Sequence, residues 1–162
     1  MSEKLKRPDW DEYFLEVMKA ISKRGSCDRG QCGSVIVKDK QILATGYVGS
    51  VAGSKHCDEI GHQMKKVTHE DGSETNHCVR TLHAEQNAIC QAAKRGISIE
   101  GATIYVTFAP CNVCAKLIAQ CGIKRVVTLM KYHAEGDSQA IFKEAGIELE
   151  YITTEMMTYD NM

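Results

Sequence analysis

Apolar positions change period several times along the chain, and each change marks an element. From Asp9 to about Arg24 the residues Tyr13, Phe14, Val17, Met18 and Ile21 recur every three or four positions, the stripe of a helix packed on one face. Asp9, following Pro8, is placed to cap it. Gln31 to Val37 and Ile42 to Tyr47 are β-rich runs joined by Lys38-Asp39-Lys40-Gln41, so they form an antiparallel hairpin. Helical spacing returns after His83, in Ala84, Ala88, Ile89, Ala92 and Ala93, and stops at Gly96. It returns again after Pro110, in Val113, Leu117 and Ile118, up to Gly122; a proline at a helix start costs nothing because its missing N–H would be unpaired anyway. Strands are expected at about Ala102 to Phe108, Arg125 to Met130 and Glu148 to Ile152, with a helix at about Ser138 to Ala145. Strand and helix alternate there, so the second half pairs in parallel, the last two strands included. The class is α/β, with a mixed sheet of five strands.

Two stretches have no clear period. Gly46 to Gly53 follows the hairpin, and its three glycines leave room for backbone to approach a ligand or simply to turn. Residues 54 to 82 read as irregular and contain His56, Cys57, His62, His69, His77 and Cys78. A loop of that length inside a compact unit is functional or tied down by something.

Bulk properties narrow the class further. With 162 residues, 43% hydrophobic and 25% charged, the chain has the composition of one globular domain spanning 1–162. A net charge of −1 gives no broad field for a polyanion, which argues against a long nucleic acid as substrate. The N-terminus is charged rather than apolar and no run approaches transmembrane length, so a soluble cytoplasmic protein with no membrane partner is expected. In a reducing compartment, 8 cysteines interleaved with histidines are better metal ligands than disulfide partners.

The chemistry sits at two helix starts. His83 with Cys111 and Cys114 offers one imidazole and two thiolates, a set that suits tetrahedral zinc and leaves a fourth position for water. Glu85, two residues after the histidine, is placed to move that water's proton. His-x-Glu followed by Pro-Cys-x-x-Cys is the signature of zinc-dependent nucleobase deaminases, in which the Glu is a proton shuttle and not a ligand. His133-Ala134-Glu135 repeats the triplet, but no Pro-Cys-x-x-Cys follows and Gly136 and Asp137 break any helix beginning there, so it reads as a loop.

Beyond the signature, Asp11-Glu12-Tyr13-Phe14, Gly46-Tyr47-x-Gly49, Cys78-Val79-Arg80-Thr81, Tyr105-Val106-Thr107 and the run from Cys114 to Lys124 make the chain similar to the deoxycytidylate (dCMP) deaminase family of bacterial and phage type. The resemblance covers roughly residues 9 to 152. It implies a three-layer α/β/α cytidine-deaminase-like fold and the reaction of dCMP with water to give dUMP, for thymidylate synthesis, and ammonia. Activated water would attack C4 of the ring, with Glu85 protonating the ring nitrogen and then the departing amine. It further implies a pocket lined by Tyr132, Ala84 and Pro110, a cation for the phosphate, for which Arg80 and Arg24 are candidates, and a hexamer. Regulation would come from dCTP with Mg2+ as activator and dTTP as inhibitor, at a loop holding Gly49, Ser50, Gly53, Arg24 and Lys55. Two positions depart from the pattern: Val48 stands where the family usually has Asn, and Ala109 precedes Pro110 where Phe is usual and where purine deaminases carry Glu.

The remaining cysteines divide. Cys90 and Cys121 fall on helix faces and Cys32 in the first strand, all three reading as small buried hydrophobes. Cys27, Cys57 and Cys78 lie at element ends or in the irregular stretch, near His62 and His77, and relatives carry ligand-type residues at similar places. A second, structural zinc is therefore expected on Cys27, Cys57, His62 and Cys78, with His77 as the alternative fourth ligand. Two other functions compete with dCMP deamination: a deaminase of another cytosine compound or of tRNA adenosine, and a zinc-stabilised scaffold without catalysis.

Overall fold

A computed structural model describes residues 6–69 and 71–157. Helix α1 (Trp10–Ser22) is capped by Asp9, whose carboxylate accepts from the Glu12 N–H while the Glu12 carboxylate accepts from the Asp9 N–H. Strands β1 (Gly33–Lys38) and β2 (Gln41–Tyr47) form the expected hairpin, shifted by a residue or two. Its turn is tighter than the four-residue link suggested. Asp39 and Lys40 both have positive φ, 51° and 61°, the left-handed pair of a two-residue hairpin turn.

The glycine-rich stretch contains a short strand, β3 (Gly49–Ser50), and the irregular stretch is ordered into small elements: α2 (Cys57–Ile60), β4 (Met64–Thr68), β5 (Glu74–Cys78) and β6 (Thr81–Leu82). β4 and β5 pair antiparallel as a ribbon of their own, and β3 pairs with β6. This corrects the reading of 54–82 as loop. Then follow α3 (Ala84–Arg95), β7 (Thr103–Phe108), α4 (Asn112–Gln120), β8 (Arg125–Tyr132), α5 (Gly136–Glu144), β9 (Glu148–Tyr151) and β10 (Met156–Met157). Helix α5 starts at Gly136, so residues 136 and 137 begin a helix instead of breaking one. Glu135 caps the turn before it: its carboxylate accepts from the Tyr132 N–H at 3.0 Å and from the Gln139 amide at 3.0 Å.

The main sheet runs β2-β1-β7-β8-β9, with β7, β8 and β9 parallel and β1 antiparallel to both neighbours. The sixth strand, β10, extends the β9 edge by pairing with Lys131 and Tyr132 of β8. Alternate residues of the central strands face opposite ways, and both faces are covered. Val35, Val37, Tyr105 and Val127 pack on Phe14, Leu15 and Met18 of α1. Ile36, Ile104, Val106 and Val126 pack on Ala88 and Ala92 of α3, Ala115 and Ile118 of α4 and Phe142 of α5. The result is the three-layer α/β/α arrangement of the cytidine-deaminase-like fold.

Two contacts fix where the site residues stand. Gly46 lies against α3, and a Cβ there would collide with the Ala84 carbonyl oxygen and the Ala88 nitrogen, so this glycine seats a helix instead of admitting a ligand. Gly46→Ala is therefore expected to push the start of α3 outward at a cost of about 1–3 kcal/mol. Melting temperature and kcat should both fall, and a variant that melts and turns over like wild type would contradict the contact. On the other face, Arg125 of β8 holds Asp11 through two hydrogen bonds of 2.8 and 2.7 Å and Glu150 through two of 3.0 and 2.7 Å, while the Tyr105 hydroxyl donates to Asp11 at 2.6 Å. The guanidinium lowers the Asp11 pKa, against opposing burial. Stability from a lowered carboxyl is present above its unfolded pKa of about 3.9 and is lost as pH falls through the lower folded value. Asp11→Asn should thus lower Tm by roughly 3–6 °C near neutrality, a gap that closes below about pH 4. A gap that persists unchanged at pH 3 would place the effect in packing and not in charge.

Candidate active site

Helices α3 and α4 both begin at the edge of the sheet where β7 and β8 end. His83 is the N-cap of α3, and its N–H donates to the Gln86 side chain at 2.9 Å. Cys111 is the N-cap of α4, two residues past the buried Ala109 and one past the buried Pro110. The Ser34 hydroxyl, fully buried in β1, donates to the Ala84 carbonyl at 2.8 Å and ties the start of α3 to the sheet.

His83 Nδ1 lies 3.5 Å from Cys111 Sγ and 3.4 Å from Cys114 Sγ. Tetrahedral zinc with ordinary Zn–S and Zn–N bonds requires about 3.5 Å between sulfur and nitrogen ligands, so the donor set fits that ion. The three donor atoms all lie within 4.8 Å of one another. Contact with the Cys114 thiol and with His83 lowers Cys111 to about 4, a thiolate at neutral pH, while the hydrogen bond to Cys111 and burial raise Cys114. Glu85 is 7% exposed, and burial raises its carboxyl above the usual range against the opposing charge of His83.

These groups open into a cavity of about 660 Å³, within the roughly 300–1,000 Å³ typical of small-molecule sites. Its floor includes Ala84, Glu85, Val106, Thr107 and Ala109, and one side carries Tyr132 and His133. The β4–β5 ribbon brings His69, Asn76 and His77 to the lining, and His69 meets His133 edge to face with ring centroids 5.7 Å apart. Thr75 links the two histidines, 2.6 Å from His69 Nε2 and 2.7 Å from His77 Nε2, and burial lowers the His77 pKa.

Tyr132 and Ala84 thus line the cavity, whereas Pro110 is buried outside the lining. Arg80 is directed elsewhere, its Nε donating to the Gly61 carbonyl at 3.1 Å, and Arg24 is also outside the lining. The cation on the wall is Arg29, the one Lys or Arg among the described lining residues. Sequence reasoning misses the histidine ribbon because 54–82 reads as loop, and with it Arg29, which lies outside that stretch and enters the lining beside Asn76 of the ribbon. Asp71-Gly72, a strong hairpin turn between two runs of β-capable residues, was the available signal. Glu135 of the repeated triplet does not line the cavity. Val48 does, as one of three buried residues in a small apolar cluster with Cys27 and Cys57.

The expected second ligand set also assembles. Donor atoms of Cys27, Cys57, His62 and Cys78 lie within 4.8 Å of one another, with Cys57 Sγ 3.6 Å from Cys78 Sγ and Cys27 Sγ 3.7 Å from His62 Nδ1. Tetrahedral zinc asks for about 3.8 and 3.5 Å, so this set fits as well. His62 Nε2 faces the Asp28 carboxylate at 2.9 Å, the carboxylate–histidine pairing that orients metal ligands. His77 is engaged with Thr75 in the cavity and is not in this group. Cys32 precedes β1 instead of lying in it and lines the cavity, partly buried against the Cys27, Val48 and Cys57 cluster, and Cys121 likewise packs partly buried against the main core; Cys90 is exposed and is not the buried hydrophobe expected.

The loop expected to hold an effector is partly built into strand structure. Gly49 and Ser50 pair with Leu82 and Thr81, the Ser50 hydroxyl is buried with no hydrogen-bond partner among the described residues, and Gly53 has φ +87° in open space. Arg24 and Lys55 are exposed. No helix among the described residues is long and apolar enough to cross a membrane.

A family model described as the cytidine and deoxycytidylate deaminase zinc-binding region matches residues 8–130. The ComE operon protein 2 of Bacillus subtilis (strain 168) is 38% identical over 156 residues, 96% of this chain and 78% of that protein. The deoxycytidylate deaminase of Mycobacterium phage D29 is 40% identical over 126 residues, 76% of this chain and 96% of the phage protein. The dCMP deaminase of cyanophage S-TIM5, solved in complex with dCMP and dUMP, superposes with a TM-score of 0.73 at 30% identity, over 91% of this chain and 100% of that one.

Proposed function

The chain belongs to the cytidine and deoxycytidylate deaminase family, and on that premise we propose that it hydrolyses dCMP to dUMP and ammonia, acting as one domain over residues 1–162. The observation that carries this is the buried Glu85 carboxyl beside the His83, Cys111 and Cys114 donors at the floor of a nucleotide-sized cavity. Zinc in that set supplies a Lewis acid that makes water a nucleophile at neutral pH. Glu85 takes the proton from that water, hands it to the ring nitrogen N3 and then carries a proton to the departing amine at C4. Burial raises its carboxyl above the ordinary carboxylate range, the direction that makes one group better able to give a proton back after taking it. Ala84, Val106 and Ala109 wall off bulk water around the ring, and Tyr132 supplies an aromatic side. Val48 cannot hydrogen-bond a sugar hydroxyl; Arg29 in the lining is the cation assigned to the phosphate, replacing Arg24 and Arg80 in that role.

A second zinc on Cys27, Cys57, His62 and Cys78 has four protein ligands and is therefore structural. Such thiol-rich sites keep their ligands in a reducing cytoplasm. The effector site we assign to Gly49, Ser50, Gly53, Arg24 and Lys55, with dCTP and Mg2+ raising activity and dTTP lowering it; in its support, Arg24 and Lys55 are exposed and the Ser50 hydroxyl is buried with no hydrogen-bond partner among the described residues. Val113 and Leu117, exposed on α4, offer apolar surface for assembly into a hexamer. The resulting dUMP would serve thymidylate synthesis.

The test is the ratio of kcat/KM for dCMP against cytidine, cytosine and dCTP, by ammonia release from zinc-replete protein. Preference for dCMP supports the proposal, preference for cytidine moves it to a nucleoside, and turnover of none of the four leaves a zinc-stabilised scaffold. In the same assay dCTP with Mg2+ and dTTP should shift dCMP saturation in opposite directions.

A further inference from the structure

We propose that the second metal centre shapes the substrate cavity, so that its loss weakens nucleotide binding while the catalytic metal and the chemical step persist. The inference rests on the second ligand set and the nucleotide substrate proposed above. Its starting point is how the four ligands divide. Cys27 and Cys78 line the cavity, whereas Cys57 and His62 stand behind its wall.

The two lining ligands bracket the wall. Cys27 begins the segment that carries Arg29 and Gly30 into the lining, and Cys78 ends β5, which carries Asn76 and His77 into it. Across the gap Arg29 Nη2 donates to the Asn76 carbonyl at 3.3 Å, a long and exposed bond that fixes little. Nor is the ribbon held by the main sheet. β4 and β5 pair only with each other, their side chains are mostly exposed, and at the ribbon's tip His69 meets His133, just past β8, through an edge-to-face ring contact of 5.7 Å that leaves the Cys78 end without such a hold. An isolated two-stranded ribbon is marginal in water, and the apolar cluster beneath it consists of Cys27, Val48 and Cys57 with Cys32 and Cys78 at its margin. Three of those five residues are the thiol ligands themselves. A metal bridging them is therefore the brace that sets the distance between Arg29 and the histidine face.

The catalytic set is anchored differently. Ala84, Cys114 and Ala115 at the starts of α3 and α4 are fully buried, and the layer beneath them is the main core. Loss of the second metal should leave those residues in place. The expected signature is a split, with binding weakened and the chemical step retained. A catalytic cavity wall displaced by about 1 Å can cost up to roughly 100-fold, so a change of tenfold or more is expected.

Cys57→Ser tests this because Cys57 is a ligand that does not line the cavity. Zinc content, the Kd of dUMP by calorimetry, and KM and kcat for dCMP are measured on wild type and variant. Zinc should fall from about two to about one per chain, Kd and KM should rise about tenfold or more, and kcat should stay within about threefold. Loss of the second zinc with Kd and KM unchanged would overturn the inference, as would a single zinc in wild type. Where Cys57→Ser does not fold, His62→Ala removes the other ligand behind the wall and is read by the same criteria. A zinc-replete wild type that does not deaminate dCMP contradicts the proposed reaction instead, and the dUMP Kd ratio still decides the present point.

Discussion

Glu85→Ala is expected to lower kcat by about 10³-fold or more while leaving the zinc content unchanged. General acid–base transfer alone contributes about 10²- to 10⁴-fold, and here one carboxyl serves the water, the ring nitrogen and the amine in turn. The side chain is 7% exposed and its carboxyl is raised by burial, so its removal also relieves a desolvation cost. Tm should therefore hold or rise, which separates the expected loss of turnover from misfolding. Glu85→Gln, which keeps the shape and removes the proton chemistry, should be nearly as inactive. Retention of more than about a tenth of wild-type kcat in either variant would remove Glu85 from the role.

Cys111→Ala has the second large effect, and of the opposite kind. Cys111 is the N-cap of α4 and meets both His83 and Cys114, so the change removes a ligand, a thiolate at a helix start and a contact between two helices. Activity should fall below detection and zinc by about one per chain. Tm should drop by roughly 10 °C, as expected when a tightly bound ion no longer stabilises the native state. Excess zinc should not restore turnover, because two remaining protein ligands cannot fix the ion's geometry. A variant with full zinc content would show that Cys111 is not a ligand.

Most of the layered architecture was legible because its signals are local. The helical stripe of α1, the two helices ending at Gly96 and Gly122 and the β-rich runs each carry their own period, and the alternation after Ala102 fixed the parallel pairing of β7, β8 and β9. The ligand set His83, Cys111 and Cys114 was legible for another reason: its members cap two helices whose starts the sequence marks. The second set is harder to read, since Cys27, Cys57, His62 and Cys78 are brought together by tertiary packing and not by spacing; its mark in the sequence is three cysteines at element ends or in the irregular stretch, outside the helical and strand patterns.

What stayed hidden depended on short elements and long-range contacts. The β4–β5 ribbon has no buried face of its own, so its residues show little apolar alternation and only Asp71-Gly72 announced it. With the ribbon unseen, His69 and His77 could not be brought to the cavity that Tyr132 lines, and Arg29 could not be preferred to Arg24 or Arg80. Gly46 was taken as loop freedom because the helix it seats lies some forty residues away in sequence. The start of α5 was misjudged because Glu135 acts as a clamp on Tyr132 and Gln139, a capping arrangement that Gly136 and Asp137 conceal.

The central claim, that the Glu85 site adds solvent water to a cytosine nucleotide and expels its amine, is tested most directly by incubating zinc-replete protein with dCMP in ¹⁸O-labelled water. Mass spectrometry should find dUMP carrying one heavy oxygen, at O4, with one ammonia released for each dUMP formed, and neither product with Glu85→Gln. Absence of dUMP from protein that holds its zinc, or labelled dUMP formed by Glu85→Gln at the wild-type rate, would contradict the claim.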